Sequence, residues 1–229
     1  MQIDNSVQNF HTKNADSNYF DQYVKDHMPR HEFMVKYFGL QNIKNQQVAD
    51  FGCGRGMMFY CLDKGNQFTG FDGFKTPEDK KLTPFNLEVV NLDYDLRDLS
   101  EYGNTPGFYP KGIFDTSFCL ESIEHCAAPF TVLNNIKYMT KIGLDIYISI
   151  PDERMTHPVI YYQLFYPHTN FIDFLECMAL PVKEKVLFDN GWPCWIFKCS
   201  NEPWENKKMK FFKDEEKFRK ANLLEVTNL

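Results

Sequence analysis

Val48-Ala49-Asp50-Phe51-Gly52-Cys53-Gly54-Arg55-Gly56-Met57-Met58-Phe59-Tyr60-Cys61-Leu62 is the stretch on which the fold turns. Four residues, Val48 to Phe51, form a short apolar run with the look of a buried strand. Three glycines at alternate positions then free the backbone for conformations that a side chain would block. Met57 to Leu62 follow with helical character. A strand, a glycine turn and a helix in that order build a nucleotide-binding crevice. The glycines admit close approach of a ligand to the main chain, and the helix start presents free N–H groups. Asp72 ends the next strand-like run, Gln67-Phe68-Thr69-Gly70-Phe71-Asp72, about twenty residues after the first glycine, where a carboxylate can accept from both hydroxyls of a ribose.

The glycine spacing selects among cofactors. A dinucleotide site places its third glycine or alanine one residue beyond Gly56, to pack helix on strand around a pyrophosphate. That position holds the bulky Met57. No Lys-Ser/Thr pair closes the loop, so it is not a P-loop. The implied cofactor lacks a pyrophosphate, and a nicotinamide oxidoreductase is disfavoured on the same ground.

Outward from this core, Leu87 to Asn91 form a third strand-like run, Ile113 to Leu120 a fourth, and Leu144 to Ile150 a fifth that Pro151 stops. Phe130 to Lys141 carry apolar side chains at helical spacing between the last two. Strands alternating with helices predict βαβ units and a parallel sheet buried on both faces, an α/β fold. Val182–Phe188 and Trp195–Cys199 add two more strands, with Trp192 and Trp195 around Pro193 shaping the turn between them. A helix is expected over Asn170–Met178, and two helices or one kinked at Pro29 over Tyr19–Leu40, stopping near Gly39. The polar first residues read as a loosely held arm, and the tail from Lys207 to Asn222 as a charged, solvated helix.

With 229 residues and 43% hydrophobic content, including 22 Phe and 12 Tyr, the chain has the bulk for a real core in one domain. This excludes a disordered tail, a collagen-like repeat and a disulfide-dense miniprotein. A net charge of −6 opposes binding to a phosphate backbone, so no nucleic acid is expected as partner. The seven cysteines form no C-x-x-C pair and several lie in apolar runs, the pattern of reduced thiols. Met1 to Asn5 resemble no signal peptide and no apolar run is long enough for a membrane span, so a cytoplasmic protein without a membrane partner is expected.

Four segments together resemble class I S-adenosylmethionine-dependent methyltransferases. Val48 to Gly56 resembles their first motif and Thr69-Gly70-Phe71-Asp72 their second. Phe114 to Cys126, containing Leu120-Glu121 and Glu124-His125, is similar to the segment ending their fourth strand, and Ile146 to Pro151 to their fifth. The resemblance runs in order from about residue 46 to 152. It implies a Rossmann-like, mostly parallel seven-stranded sheet with helices on both faces, and S-adenosyl-L-methionine as cofactor. A single domain over 1–229 follows: a helical arm or lid (1–45), a cofactor half (46–152), a substrate-side insertion with the last strands (153–200) and a tail helix (201–229). Residues 73–86 are shorter than the family's usual segment, so the helix there is expected to be reduced.

Carried over residue by residue, Gly52, Cys53, Gly54 and Gly56 form the loop beneath the methionine part of the cofactor, and Asp50 organises its ammonium. Asp72 holds the ribose hydroxyls. Asp93 or Asp95, with Leu96, flanks adenine, and Leu120 and Glu121 lie beside the methyl-bearing sulfonium. The implied activity is methyl transfer to a small-molecule acceptor, at oxygen first and nitrogen next. A protein methyltransferase and a non-catalytic cofactor-binding or regulatory module are the alternatives. An oxygen acceptor needs a base, for which His125 is best placed, with His157 and His168 next. Glu121-Ser122-Ile123-Glu124-His125 is also similar to the metal-binding E-x-x-E-H of quinone-biosynthesis O-methyltransferases, although carboxylates facing solvent or cofactor, with no metal, are the preferred expectation. Tyr161, Tyr162, Phe165, Tyr166 and Phe171 suggest a substrate-covering lid after the fifth strand.

Overall fold

The computed structural model describes residues 17–73, 83–97, 109–155 and 167–206, with side chains from residue 25 onward. Seven strands form one sheet: β1 (Gln47–Phe51), β2 (Gln67–Phe71), β3 (Asn86–Glu88), β4 (Thr116–Leu120), β5 (Asp145–Pro151), β6 (Val182–Phe188) and β7 (Cys194–Ser200). Their spatial order is β3-β2-β1-β4-β5-β7-β6. β1, β2, β3, β4 and β5 pair parallel, whereas β7 runs antiparallel between β5 and β6. Among the described residues four helices accompany the sheet: α1 (Ser17–Tyr37), α2 (Met57–Cys61), α3 (Pro129–Met139) and α4 (His168–Cys177). The expected α/β architecture, a mostly parallel seven-stranded sheet with helices on both faces, is the one found.

Alternation along the strands divides the core in two. On one face Met34 and Val35 of α1 and Met58 of α2 pack with Val48, Phe68, Phe118, Tyr147 and Ile196. On the other Val132, Leu133, Ile136 and Met139 of α3 and Phe171, Phe174 and Leu175 of α4 pack with Ala49, Phe51, Cys119, Ile148 and Phe197. Phe171, expected in the lid, is therefore a fully buried core residue.

Several boundaries differ from expectation. Over Ser17–Tyr37 there is one uninterrupted helix, α1, with Pro29 inside it, and Gly39 beyond its end is left-handed at φ 70°. Pro29 withdraws one N–H from the helical ladder, but core packing of Met34 and Val35 holds the following turns. β3 stops at Glu88, although Asp72 N to Glu88 O (3.1 Å) and Val90 N to Asp72 O (3.3 Å) extend the pairing. β4 begins at Thr116 because Phe114 pairs with Thr140 instead. Pro151 does not stop β5 short. It is the last residue of the strand, opposite Cys194, and the next amide, Asp152 N, donates to Pro193 O at 2.9 Å.

The connections out of β1 and β4 leave on opposite sides, β1 to β2 and β4 to β5. The carboxyl ends of these two adjacent strands are thus a switch point, where an α/β sheet opens a crevice.

Candidate functional site

The loop after β1 is shaped by its main chain. Gly52, Gly54 and Gly56 have φ of 76°, 51° and 71°, all in the region that favours glycine. Gly52 N and Cys53 N both donate to Phe71 O, at 2.7 and 3.1 Å, which folds the loop back on the end of β2. A Cβ at Gly52 would lie 1.8 Å from Ser122 Oγ, so the loops after β1 and β4 touch there; one at Gly56 would lie 2.3 Å from the Phe85 ring. At Gly54 a Cβ would meet nothing within 4 Å. The first and third glycines are packed by the protein, and the middle one faces open space. Met57, at the head of α2, is buried.

Gly54 N donates to Asp72 Oδ2 at 2.9 Å, so the structure brings the glycine loop and the tip of β2 together. Asp50 sits in the central strand between Gly70 and Phe118 and is 4% exposed. Burial, and secondly the charge of Asp72, push its pKa up to about 8. Two buried carboxyls so close suit a ligand that brings positive charge and hydroxyl donors.

Asp93 and Asp95 behave differently. Asp93 Oδ1 accepts from Ala128 N at 2.8 Å, the residue capping α3, and so ties the segment after β3 to the crevice side of β4. Asp95 is held by Arg97, from Nε at 2.7 Å and Nη2 at 2.5 Å, on the exposed surface. Leu96 is fully buried in the core and its N–H donates to Asn135 Oδ1 at 3.0 Å.

Leu120 ends β4. Glu121 follows with φ 49°, an unusual conformation for a residue with a side chain. Ser149 Oγ accepts from Glu121 N at 2.9 Å and donates to Glu121 Oε1 at 3.0 Å, while Arg30 Nη1 donates to Glu121 Oε2 at 3.3 Å. Burial raises the Glu121 pKa, with Arg30 and Ser149 acting in the opposite sense. Glu124, 2% exposed, is raised further by burial and by Glu121, and its Oε2 has no hydrogen-bond partner. Its Oε1 lies 3.7 Å from His125 Nε2 in the turn Ile123–His125.

Among the described residues no group of three His, Cys, Asp or Glu side chains is disposed to hold a metal ion. In the Glu121/Glu124/His125 segment, Glu121 is engaged by Arg30 and Ser149 instead. His168 begins α4, stacks on Trp195 with centroids 3.9 Å apart, and has Lys185 Nζ 3.1 Å from its Nε2. These contacts belong to the β6–β7 side of the sheet. His157 lies outside the described residues, as do Tyr161, Tyr162, Phe165 and Tyr166 and the tail from residue 207.

Sequence reasoning missed Arg30, His31, Ser149 and Cys194. With Met34, Leu120 and Ile196 they line a cavity of about 10 Å³, room for about one water. His31 is buried and donates from Nδ1 to His27 O (2.9 Å), and its pKa is lowered to about 3, first by burial and then by Arg30, so it is neutral. The signal was present: Arg30 and His31 stand four and three residues before Met34, on the apolar stripe of α1. None of the seven cysteines is in a disulfide, and burial raises the thiols of Cys119, Cys126 and Cys194 well above the usual range. No described helix is long and apolar enough to cross a membrane.

No protein-family model matches the chain, and no curated protein matches it. Solved structures do. One is the 1,6-didemethyltoxoflavin N1-methyltransferase of Burkholderia thailandensis, with bound 1,6-didemethyltoxoflavin and S-adenosylhomocysteine. It is 16% identical with a TM-score of 0.63, over 86% of this chain and 88% of that one. A second is the magnesium protoporphyrin IX methyltransferase of Synechocystis with bound S-adenosylhomocysteine, at 12% identity and TM-score 0.57, over 86% and 95%. A third is a possible histamine N-methyltransferase of Thermotoga maritima, at 13% identity and TM-score 0.58, over 84% and 99%. The chain has the fold of S-adenosylmethionine-dependent methyltransferases.

Proposed function

We propose that this chain is an enzyme that transfers a methyl group from S-adenosylmethionine to a small-molecule acceptor. The observation that carries the proposal is the open space above Gly54, bounded by the hydrogen bond from Gly54 N to Asp72 Oδ2 and by buried Asp50. The residues fit the cofactor chemically. The sulfonium and ammonium bring the positive charge that a pair of buried carboxyls lacks, and the ribose brings the hydroxyls. Gly52, Cys53, Gly54 and Gly56 offer main chain to the methionine part, Asp50 its charge to the ammonium, and Asp72 its carboxylate to the ribose. Asp93 is the better placed of the two aspartates for adenine, because Arg97 occupies Asp95. Leu120 and Glu121 border the reacting centre from the tip of β4.

When bound, the cofactor supplies a methyl group activated for in-line displacement. The chain's part is to align the acceptor, exclude water and move a proton where the acceptor is a hydroxyl. His125 is the base in this account, with the Glu124 carboxyl beside its Nε2 as the group that orients it. Oxygen is the acceptor atom proposed first. Nitrogen follows, supported by the names of two of the similar structures, the toxoflavin N1-methyltransferase and the possible histamine N-methyltransferase.

Isothermal titration with S-adenosylmethionine tests the core of this. The chain is expected to bind it, and Gly54→Leu, which fills the open space at a left-handed φ, is expected to lose binding while keeping a native circular dichroism spectrum. Retained affinity in Gly54→Leu overturns the proposed site. Release of S-adenosylhomocysteine with hydroxyl and amine acceptors then tests catalysis. Tight binding with no release from either acceptor class points to the non-catalytic module instead.

A further inference from the structure

On the α1 face of the sheet, Arg30 is a buried charge whose donors are left largely unfilled among the described residues. Its side chain is 9% exposed, and a guanidinium carries five N–H donors. One of them, on Nη1, reaches Glu121 Oε2 at 3.3 Å, and Nε is buried with no partner. Leaving a charged donor dry and unpaired is unfavourable, so such a group calls for a physical reason. Its location supplies one. Arg30 lines the small cavity with Leu120, Ser149, Cys194 and Ile196. Leu120 is the last residue of β4 and pairs with Ser149 of β5, so the cavity opens at the carboxyl ends of these strands, next to Glu121.

We propose that Arg30 anchors the methyl acceptor, and that the acceptor bears a carboxylate taken by the Nε–Nη2 edge of the guanidinium; this rests on the methyltransferase reading of the site. Glu121 is the fixed post of the arrangement. Its main chain and its Oε1 are both tied to Ser149 Oγ, and its Oε2 holds Nη1. The remaining edge of Arg30 is the planar fork that matches the two oxygens of a carboxylate. The surroundings discriminate between head groups. An ammonium would face the Arg30 charge at close range. A phosphate dianion would bring two charges and a third oxygen into a narrow cavity whose Arg30 and Ser149 already hold the Glu121 carboxylate. A flat, singly charged carboxylate matches the fork, and one of its oxygens takes the place of the single water for which the cavity has room.

The test uses the whole chain saturated with S-adenosylhomocysteine and four probes sharing one ring: benzoate, phenylphosphonate, benzylamine and benzyl alcohol. Titration calorimetry is expected to show saturable binding of benzoate in preference to the other three. Arg30→Gln should weaken benzoate by about ten- to a hundredfold and leave S-adenosylhomocysteine affinity unchanged. Arg30→Lys, which keeps the charge and loses the fork, should fall between; if Arg30→Gln does not fold, this variant carries the comparison alone. Failure of benzoate to saturate, preference for benzylamine or phenylphosphonate, or unchanged benzoate affinity in the variants overturns the proposal. A wild-type chain that does not bind S-adenosylhomocysteine overturns the methyltransferase reading instead, and benzoate titrated onto the chain alone then decides whether Arg30 binds carboxylates.

Discussion

Lys137 and Arg30 are cations withdrawn from water on opposite faces of the same sheet. Lys137, on α3, is 3% exposed and donates to Ala179 O at 3.0 Å, Asn201 Oδ1 at 3.0 Å and Glu202 O at 2.8 Å. All three ammonium protons are used, and Trp204 lies under the charge at 4.9 Å. Burial lowers its pKa to about 8, with Glu202 and Cys199 pulling the other way. The donors brace α3 against the turn after α4 and the segment after β7. Arg30 has more donors and, among the described residues, makes one bond. A buried charge whose bonding capacity is filled holds a fold together, whereas one left unfilled beside a cavity is suited to a ligand. Asp50 belongs with Arg30 in this respect, as a buried carboxyl whose nearest charged neighbour is another carboxyl.

The contrast breaks most visibly at Lys137. Lys137→Met leaves three acceptors dry and is expected to lower stability by about 3 kcal/mol, read from urea unfolding, with S-adenosylmethionine affinity unchanged in the folded fraction. A loss under about 1 kcal/mol would remove the distinction.

Asp50→Asn should act in the opposite direction. An acid whose native pKa stands above its unfolded value binds its proton more tightly when folded, so its contribution to stability declines as pH rises from 3.8 to about 8. The variant should match the wild type near pH 4 and exceed it by on the order of 2 kcal/mol at pH 8. The ligand-bound state should reverse the preference. At pH 7 the wild type is expected to release protons on binding S-adenosylmethionine, detected by calorimetry in buffers of different ionisation enthalpy, and the variant to release fewer.

Removing Arg30 and its post together, Arg30→Met with Glu121→Gln, should change stability by no more than about 1 kcal/mol, because neither partner is left charged and alone. A loss as large as that of Lys137→Met would make Arg30 a brace after all. At the small end, Arg97→Ala breaks a pair whose side chains are 43% and 39% exposed, and thermal unfolding should register within about 0.5 kcal/mol of the wild type.

The glycine loop and its tie to Asp72 were legible in the sequence because the loop is made largely of main chain within one short stretch. Three glycines at alternate positions announce a left-handed loop whatever surrounds it, and Asp72 follows at the end of the next strand. The contacts of Arg30 were not legible. Arg30 and Glu121 are 91 residues apart, Glu121 and Ser149 are 28 apart, and no spacing rule connects them. Nor did the sequence show that Asp93 accepts from Ala128 N while Asp95 is held by Arg97, since both aspartates simply follow the third strand.

By itself, the sequence determined the alternation of strands and helices, the glycine loop and the carboxylate one strand over, since hydrophobic period and backbone freedom are properties of adjacent residues. Tertiary structure decided that β7 runs antiparallel between β5 and β6, that Pro29 stays inside a helix, and that Arg30 faces Glu121 with an edge to spare. Those outcomes depend on which distant side chains share a dry space, and packing sets that only once the sheet has closed.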